Sequence, residues 1–198
     1  MDTAVLVIDM QNGFCHERGS LPLGGFGLPN MAAVTAANAE LLATARSKGL
    51  PIVYTRHVFR PDFLDAPARL FDMLPRSPEP LVRGTWDADV IEELAPERDD
   101  HIIDKNRYDA FLYTDLEVVL RALGVTRLLV TGVVTSVCVE STVRSAEQRD
   151  FEVFVASDCC SAPTEAHGPA LAAMAAVFAT VGTWRELLPT LVDAPAAA

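Results

Sequence analysis

Residues 127–146, RLLVTGVVTSVCVESTVRSA, hold the pattern on which the rest of the chain is built. Leu128, Leu129 and Val130 form the short apolar run expected of a strand buried on both faces. Gly132 permits a tight turn, and Thr135 or Ser136 is placed to cap a following helix. In that helix Val139, Thr142, Val143 and Ala146 recur at the spacing of one packing face. Cys138 therefore stands in the first turn of a helix, just past the C-terminal end of a buried strand. Free N–H groups and the positive end of the helix dipole favour a thiolate there and can hold an oxyanion. Cysteines at such junctions also serve as plain packing. Cys138 acquires chemical meaning only from the residues that join it.

The same strand-then-helix rhythm runs through the chain. Apolar strands are predicted at Ala4–Ile8, closed by Asp9, at Ile52–Thr55, and at Ile102–Ile103, running on to Lys105. Two more follow: Phe151–Val155, ending at Asp158, and a short strand or turn opening at Val181. Between them the spacing predicts helices at Met31–Lys48 (capped by Asn30, stopped by Gly49 and Pro51), Asp87–Leu94 behind Trp86, and Asp115–Leu123 (capped by Thr114, stopped by Gly124). Ala162–Ala179 and Trp184–Leu188 complete the set. Alternation of this kind predicts one Rossmann-like α/β domain over residues 1–192, with a six-stranded, mostly parallel sheet flanked by helices. An Ala/Pro tail over residues 193–198 is expected to fray. Right-handed crossovers bring all strand C-termini to one edge. That edge collects Asp9, Lys105 and Cys138 from three strands. The Gly/Pro-rich stretch from Ser20 to Pro29 is long enough to wrap a site, and the long connection from Arg56 to Arg83 reads as a lid or an oligomer contact.

Composition narrows the function. The chain has 198 residues, half of them hydrophobic, and a formal net charge of −11. Its pI is about 4.7 and its mean hydropathy is +0.22. An acidic balance speaks against nucleic acid or an anionic membrane as partner. No charged leader precedes the first apolar run and no segment suits a bilayer span, so a cytoplasmic location is expected. The four cysteines, Cys15, Cys138, Cys159 and Cys160, form no CxxC pair and are expected to be reduced thiols. No GxGxxG or GKS loop follows the first strand, which disfavours a nucleotide-binding module. His16, His101 and His167 have no spacing that pairs them with Cys138 in a papain-like dyad.

An acid, a cation and a thiol on one edge form a plausible covalent hydrolase. At this point the chain resembles the isochorismatase-like cysteine hydrolases, which include nicotinamidases, N-carbamoylsarcosine amidases, ureidoacrylate amidohydrolases and biuret hydrolases. The resemblance is carried by VLVIDMQNGF with Asp9, GTWDADVIEEL from Gly84 to Leu94, DKNRYDAF with Lys105, and TGVVTSVCVEST with Cys138. It implies an Asp9–Lys105–Cys138 triad, a cis peptide between Val133 and Val134, and an oxyanion hole from the N–H groups of Val134 and Cys138. Isochorismatases proper lack the nucleophilic cysteine, so Cys138 argues against vinyl-ether hydrolysis.

Two departures from the family pattern narrow this further. The Asp-x-His metal pair of nicotinamidases is replaced by His57 and Phe59, so no metal and no other cofactor is expected. QNDF reads Gln11-Asn12-Gly13-Phe14. The remaining blocks look most like the ureidoacrylate and carbamoyl-amide branch. Substrate contacts are then expected from Gln11, Phe14, Trp86, Tyr108, Phe111 and Thr135, with Arg107 pairing a substrate carboxylate. The resemblance implies a homo-oligomer, a dimer or tetramer, acting on a small amide or ureido compound. A nicotinamidase-like amidase and a catalytically silent binding protein are the alternatives.

Overall fold

The computed structural model describes residues 2–74 and 79–192. The tail from Asp193 lies outside the described residues, as do residues 75–78 of the long connection. The first strand, β1 (Thr3–Ile8), leads into two single helical turns, α1 (Asn12–Cys15) and α2 (Ser20–Leu23), and then α3 (Met31–Ser47). β2 (Ile52–His57), α4 (Ala68–Met73), β3 (His101–Lys105) and α5 (Leu116–Ala122) follow. β4 (Arg127–Val133), α6 (Glu140–Glu147), β5 (Glu152–Ser161), α7 (Thr164–Val177), β6 (Thr180–Gly182) and α8 (Trp184–Val192) complete the chain. The six strands form one sheet in the order β3-β2-β1-β4-β5-β6, parallel at every pairing.

Burial on both faces explains why the strands are nearly unbroken apolar runs. Ala4, Leu6 and Ile8 of β1, with Leu128 and Val130 of β4, pack on one side against Leu116 and Leu120 of α5, Val143 and Ala146 of α6 and Met174 of α7. Val5, Val7 and Leu129 face the opposite side, against Leu41, Leu42 and Ala45 of α3 and Leu187, Leu188 and Leu191 of α8. Each Val, Leu, Ile or Met among them contributes roughly 1.5–3 kcal/mol by leaving water. The α6 face expected from the sequence, Val139, Thr142, Val143 and Ala146, is buried in full.

The strand order reverses at the β1/β4 pair, and in such sheets ligands bind at that switch point. There Ile8 lies opposite Gly132. Gly132 has φ +109°, and a Cβ built on it would fall 2.0 Å from the carbonyl oxygen of Ile8. Gly132 is thus part of β4, not a turn, and its missing side chain lets the two central strands close together.

Several local expectations give way to tertiary contacts. Residues 87–94 are not one helix but two 3-10 turns, Trp86–Ala88 and Glu92–Leu94. Between them Val90 bridges to Gln11 and the Ile91 N–H donates to Met10, so pairing with the loop after β1 overrides helix propensity. Asn30 adopts a left-handed conformation and makes no side-chain cap. Neither Thr135 nor Ser136 caps a helix; residues Thr135–Val139 form a π-helical turn whose Val139 N–H donates to the Val134 carbonyl. β5 runs past Asp158 to Ser161, with a register irregularity against β4 between Val130 and Gly132.

Gly132→Ala combines a disfavoured φ with a clash against β1 backbone. It is expected to lower stability by roughly 3 kcal/mol or more, measurable as a shifted urea midpoint, whereas Gly124→Ala, with nothing within 4 Å of its Cβ, should cost much less.

Candidate active site

Asp9 follows β1, Lys105 ends β3 and Cys138 lies in the π-helical turn after β4. All three are buried. Asp9 takes a positive φ of 52°, an uncommon conformation for a residue other than glycine. The Thr55 hydroxyl donates to Asp9 Oδ1 at 2.6 Å, and the Lys105 ammonium donates to Oδ2 at 2.6 Å. β3 is the edge strand, so the lysine reaches across β2 to make that bond. Its four-carbon stem is what the span needs.

Lys105 Nζ also lies 3.0 Å from the Arg107 carbonyl oxygen and 3.3 Å from His57 Nδ1. An ammonium has only donors, so Nδ1 must accept and the His57 proton sits on Nε2. Burial and the neighbouring charges of Lys105 and Arg107 hold the His57 pKa well below its usual value, which keeps the ring neutral. Its Nε2 has no hydrogen-bond partner among the described residues. Burial disfavours the charge on Lys105, but the charge of Asp9 and hydrogen bonds to Asp9 and Cys138 outweigh it, and its pKa is raised.

The thiol departs from the sequence expectation. Burial, with the charge of Asp9, pushes the Cys138 pKa up to about 12 against the opposing pull of Lys105. A thiolate is therefore disfavoured in the resting protein. Desolvation beats the helix dipole because the cysteine is enclosed. The peptide between Val133 and Val134 is cis.

Donor atoms of Asp9, His57 and Cys138 all lie within 4.8 Å of one another. Lys105, at 2.6 and 3.3 Å from two of them, already places a positive charge inside that set. The arrangement does not fit a resident divalent ion unless the lysine leaves.

The thiol opens on a cavity of about 450 Å³. Of the residues expected to contact substrate, Phe14 and Tyr108 line it. Gln11 does not: its amide donates to the carbonyls of His57 and Ala88 and accepts from the His57 N–H, which clamps the end of β2. Trp86 is half exposed and sits edge-on to His16, away from the wall. Arg107 Nη1 donates to the carbonyls of Asp65 and Asn106, and the residue is not part of the wall. Phe111 packs in the core against Phe151, and the Thr135 hydroxyl pairs with His167 Nδ1 at 3.0 Å. His57, Phe59, Ser136 and Glu165 line the cavity without having been singled out as substrate contacts. Nothing in the spacing of those residues distinguishes them from core or surface positions.

A parallel α/β sheet with a buried acid, ammonium and thiol at its switch point defines an α/β cysteine hydrolase. The chain belongs to the isochorismatase family: the Isochorismatase domain matches residues 3–186. It is 34% identical over 182 residues to ureidoacrylate amidohydrolase RutB of Methylorubrum extorquens, covering 85% of this chain and 72% of that protein. A cysteine hydrolase from Pseudomonas syringae pv. phaseolicola superposes with a TM-score of 0.86 at 35% identity, over 95% of this chain and 91% of the other. An isochorismatase-like hydrolase from Alkaliphilus metalliredigens superposes with a TM-score of 0.85 at 28% identity, over 96% of this chain and all of the other. No helix among the described residues is long and apolar enough to cross a membrane.

The elevated thiol pKa has a readable consequence. Alkylation of Cys138 by iodoacetamide, followed by peptide mass spectrometry, should accelerate about tenfold per pH unit from pH 7 to 10 with no plateau. A plateau near pH 7 would mean a preformed thiolate. Stability linked to this group is complete below the ordinary thiol value of 9.0 and is lost as pH rises towards 12.

Proposed function

We propose that this protein is a metal-independent amidohydrolase that cleaves a small linear amide or ureido compound through a thioester on Cys138. The observation that carries the reading is the convergence of Asp9, Lys105 and Cys138 at the strand C-termini, beside one cavity. The amidohydrolase activity for which the Methylorubrum relative is named supports the reaction class.

With a thiol that resists ionisation, attack needs a base. Cys138 Sγ bonds to the substrate carbonyl carbon as its proton passes to Asp9. The oxyanion is held by the N–H groups of Val134 and Cys138. Asp9 then returns the proton to the leaving nitrogen, the C–N bond breaks, and ammonia or an amine departs. Water gives a proton to Asp9 and its oxygen attacks the thioester; the acid is released and the sulfur recovers the proton. Throughout, Lys105 balances the charge of Asp9, and neutral His57 accepts from Lys105 without adding another.

Ammonia release from a panel of carboxamides and carbamoyl compounds, with and without a chelator, is the direct test. Turnover should survive the chelator. Cys138→Ala should lose about 10⁴-fold or more, and Asp9→Asn about 10²–10⁴-fold, with circular dichroism unchanged. Retained activity in Cys138→Ala would sink the mechanism.

A further inference from the structure

The wall of the cavity differs from what an anionic substrate needs. Phe59, Leu74 and Leu81 are buried along it, and Phe14 and Leu28 continue the apolar surface. Met73 and Phe26 carry that surface outward to half-exposed positions. Among the described wall residues the polar side chains are His57, Tyr108, Ser136 and Glu165; none is Lys or Arg.

Among the described residues, each nearby cation is held elsewhere or lies outside the wall. Lys105 is held by Asp9, His57 and the Arg107 carbonyl. Arg107, outside the wall, donates from Nη1 to the carbonyls of Asp65 and Asn106. Arg69, on α4, is exposed and is not part of the wall. His57 is neutral, and Glu165 presents an acid. A carboxylate drawn into this space would lose water, would find only the neutral donors of His57, Tyr108 and Ser136 on the described wall, and would face the acid of Glu165. An aliphatic or aromatic group loses only unfavourable hydration. The volume, about 450 Å³, falls in the range that encloses drug-sized ligands and exceeds the needs of a two- or three-carbon amide.

We infer that the cavity selects an uncharged, apolar acyl group, so that the substrate is a neutral aliphatic carboxamide and not a carboxylate-bearing ureido acid. This rests on the amidohydrolase reading and specifies the acyl side of its substrate. The apolar wall supplies binding, and the buried polar cluster around Cys138 is reserved for the amide. Substrate preference would then differ from that for which the Methylorubrum relative is named.

The test compares kcat/KM for propanamide, butanamide, pentanamide and hexanamide with that for the monoamides of succinic and adipic acid and for ureidoacrylate. Across the neutral series kcat/KM should rise about fourfold per methylene, and hexanamide should exceed adipic acid monoamide at least 100-fold. Met73→Lys, at a half-exposed wall position, should narrow that ratio by improving the carboxylated amide. A flat neutral series, or equal or better turnover of the anionic amides by the wild type, would overturn the inference. If no amide is hydrolysed, the hydrolase reading fails on its own. Calorimetric binding of the same compounds to Cys138→Ala then decides the cavity's preference: tighter binding of hexanamide supports it, and equal or tighter binding of the anions overturns it.

Discussion

The buried ion pair between Lys105 and Asp9, 2.6 Å apart, is the constraint on which the rest of the site depends. Both groups are buried, and removing either would leave a charge without its partner, a loss on the order of 3–5 kcal/mol. The sheet meets this constraint by topology. β1 ends at the switch point, β3 lies two strands away, and the lysine stem bridges β2. Thr55 on β2 and the Arg107 carbonyl supply the remaining hydrogen bonds, so each charge is both paired and solvated by protein. The same pair joins the edge of the sheet to its centre.

The ion pair also orders its neighbours. Because every donor of Lys105 has a partner, His57 is left as an acceptor at Nδ1 and carries its proton at Nε2. The His57 backbone is in turn clamped by Gln11, whose amide is the link between the loop after β1 and the end of β2. Cys138 faces one negative and one positive charge in an enclosed space, and burial tips the balance to the thiol. In the proposed mechanism this keeps the nucleophile unreactive until a carbonyl is close enough for proton transfer and attack to be coupled.

The polar cluster occupies one end of a cavity whose other walls are apolar. Those walls come from the two longest irregular stretches near the strand ends. The Gly-rich segment after α1 contributes Leu21, Phe26 and Leu28, and the connection after β2 contributes Phe59, Leu70 and Leu81. The sheet holds the reacting groups, and the loops set what they meet.

The parallel sheet, the helices on its faces and the gathering of Asp9, Lys105 and Cys138 at one edge were all legible in the sequence. Each follows from local periodicity and from the fixed hand of crossovers, which hold whatever the side chains do later. The protonation of Cys138, the substitution of two 3-10 turns for a helix after Trp86, and the make-up of the cavity were decided by the tertiary structure. A strand-end position predicts which groups meet, but not how dry the space between them is, and desolvation sets the charge on the thiol. Arg107 and Phe111 are close in sequence to Lys105, yet neither lines the cavity: Arg107 Nη1 holds the Asp65 and Asn106 carbonyls, and Phe111 packs on Phe151. Leu74 and Leu81 read as ordinary apolar residues until the connection folds back over the site. Periodicity records which face of an element is buried; only packing determines what that face is buried against.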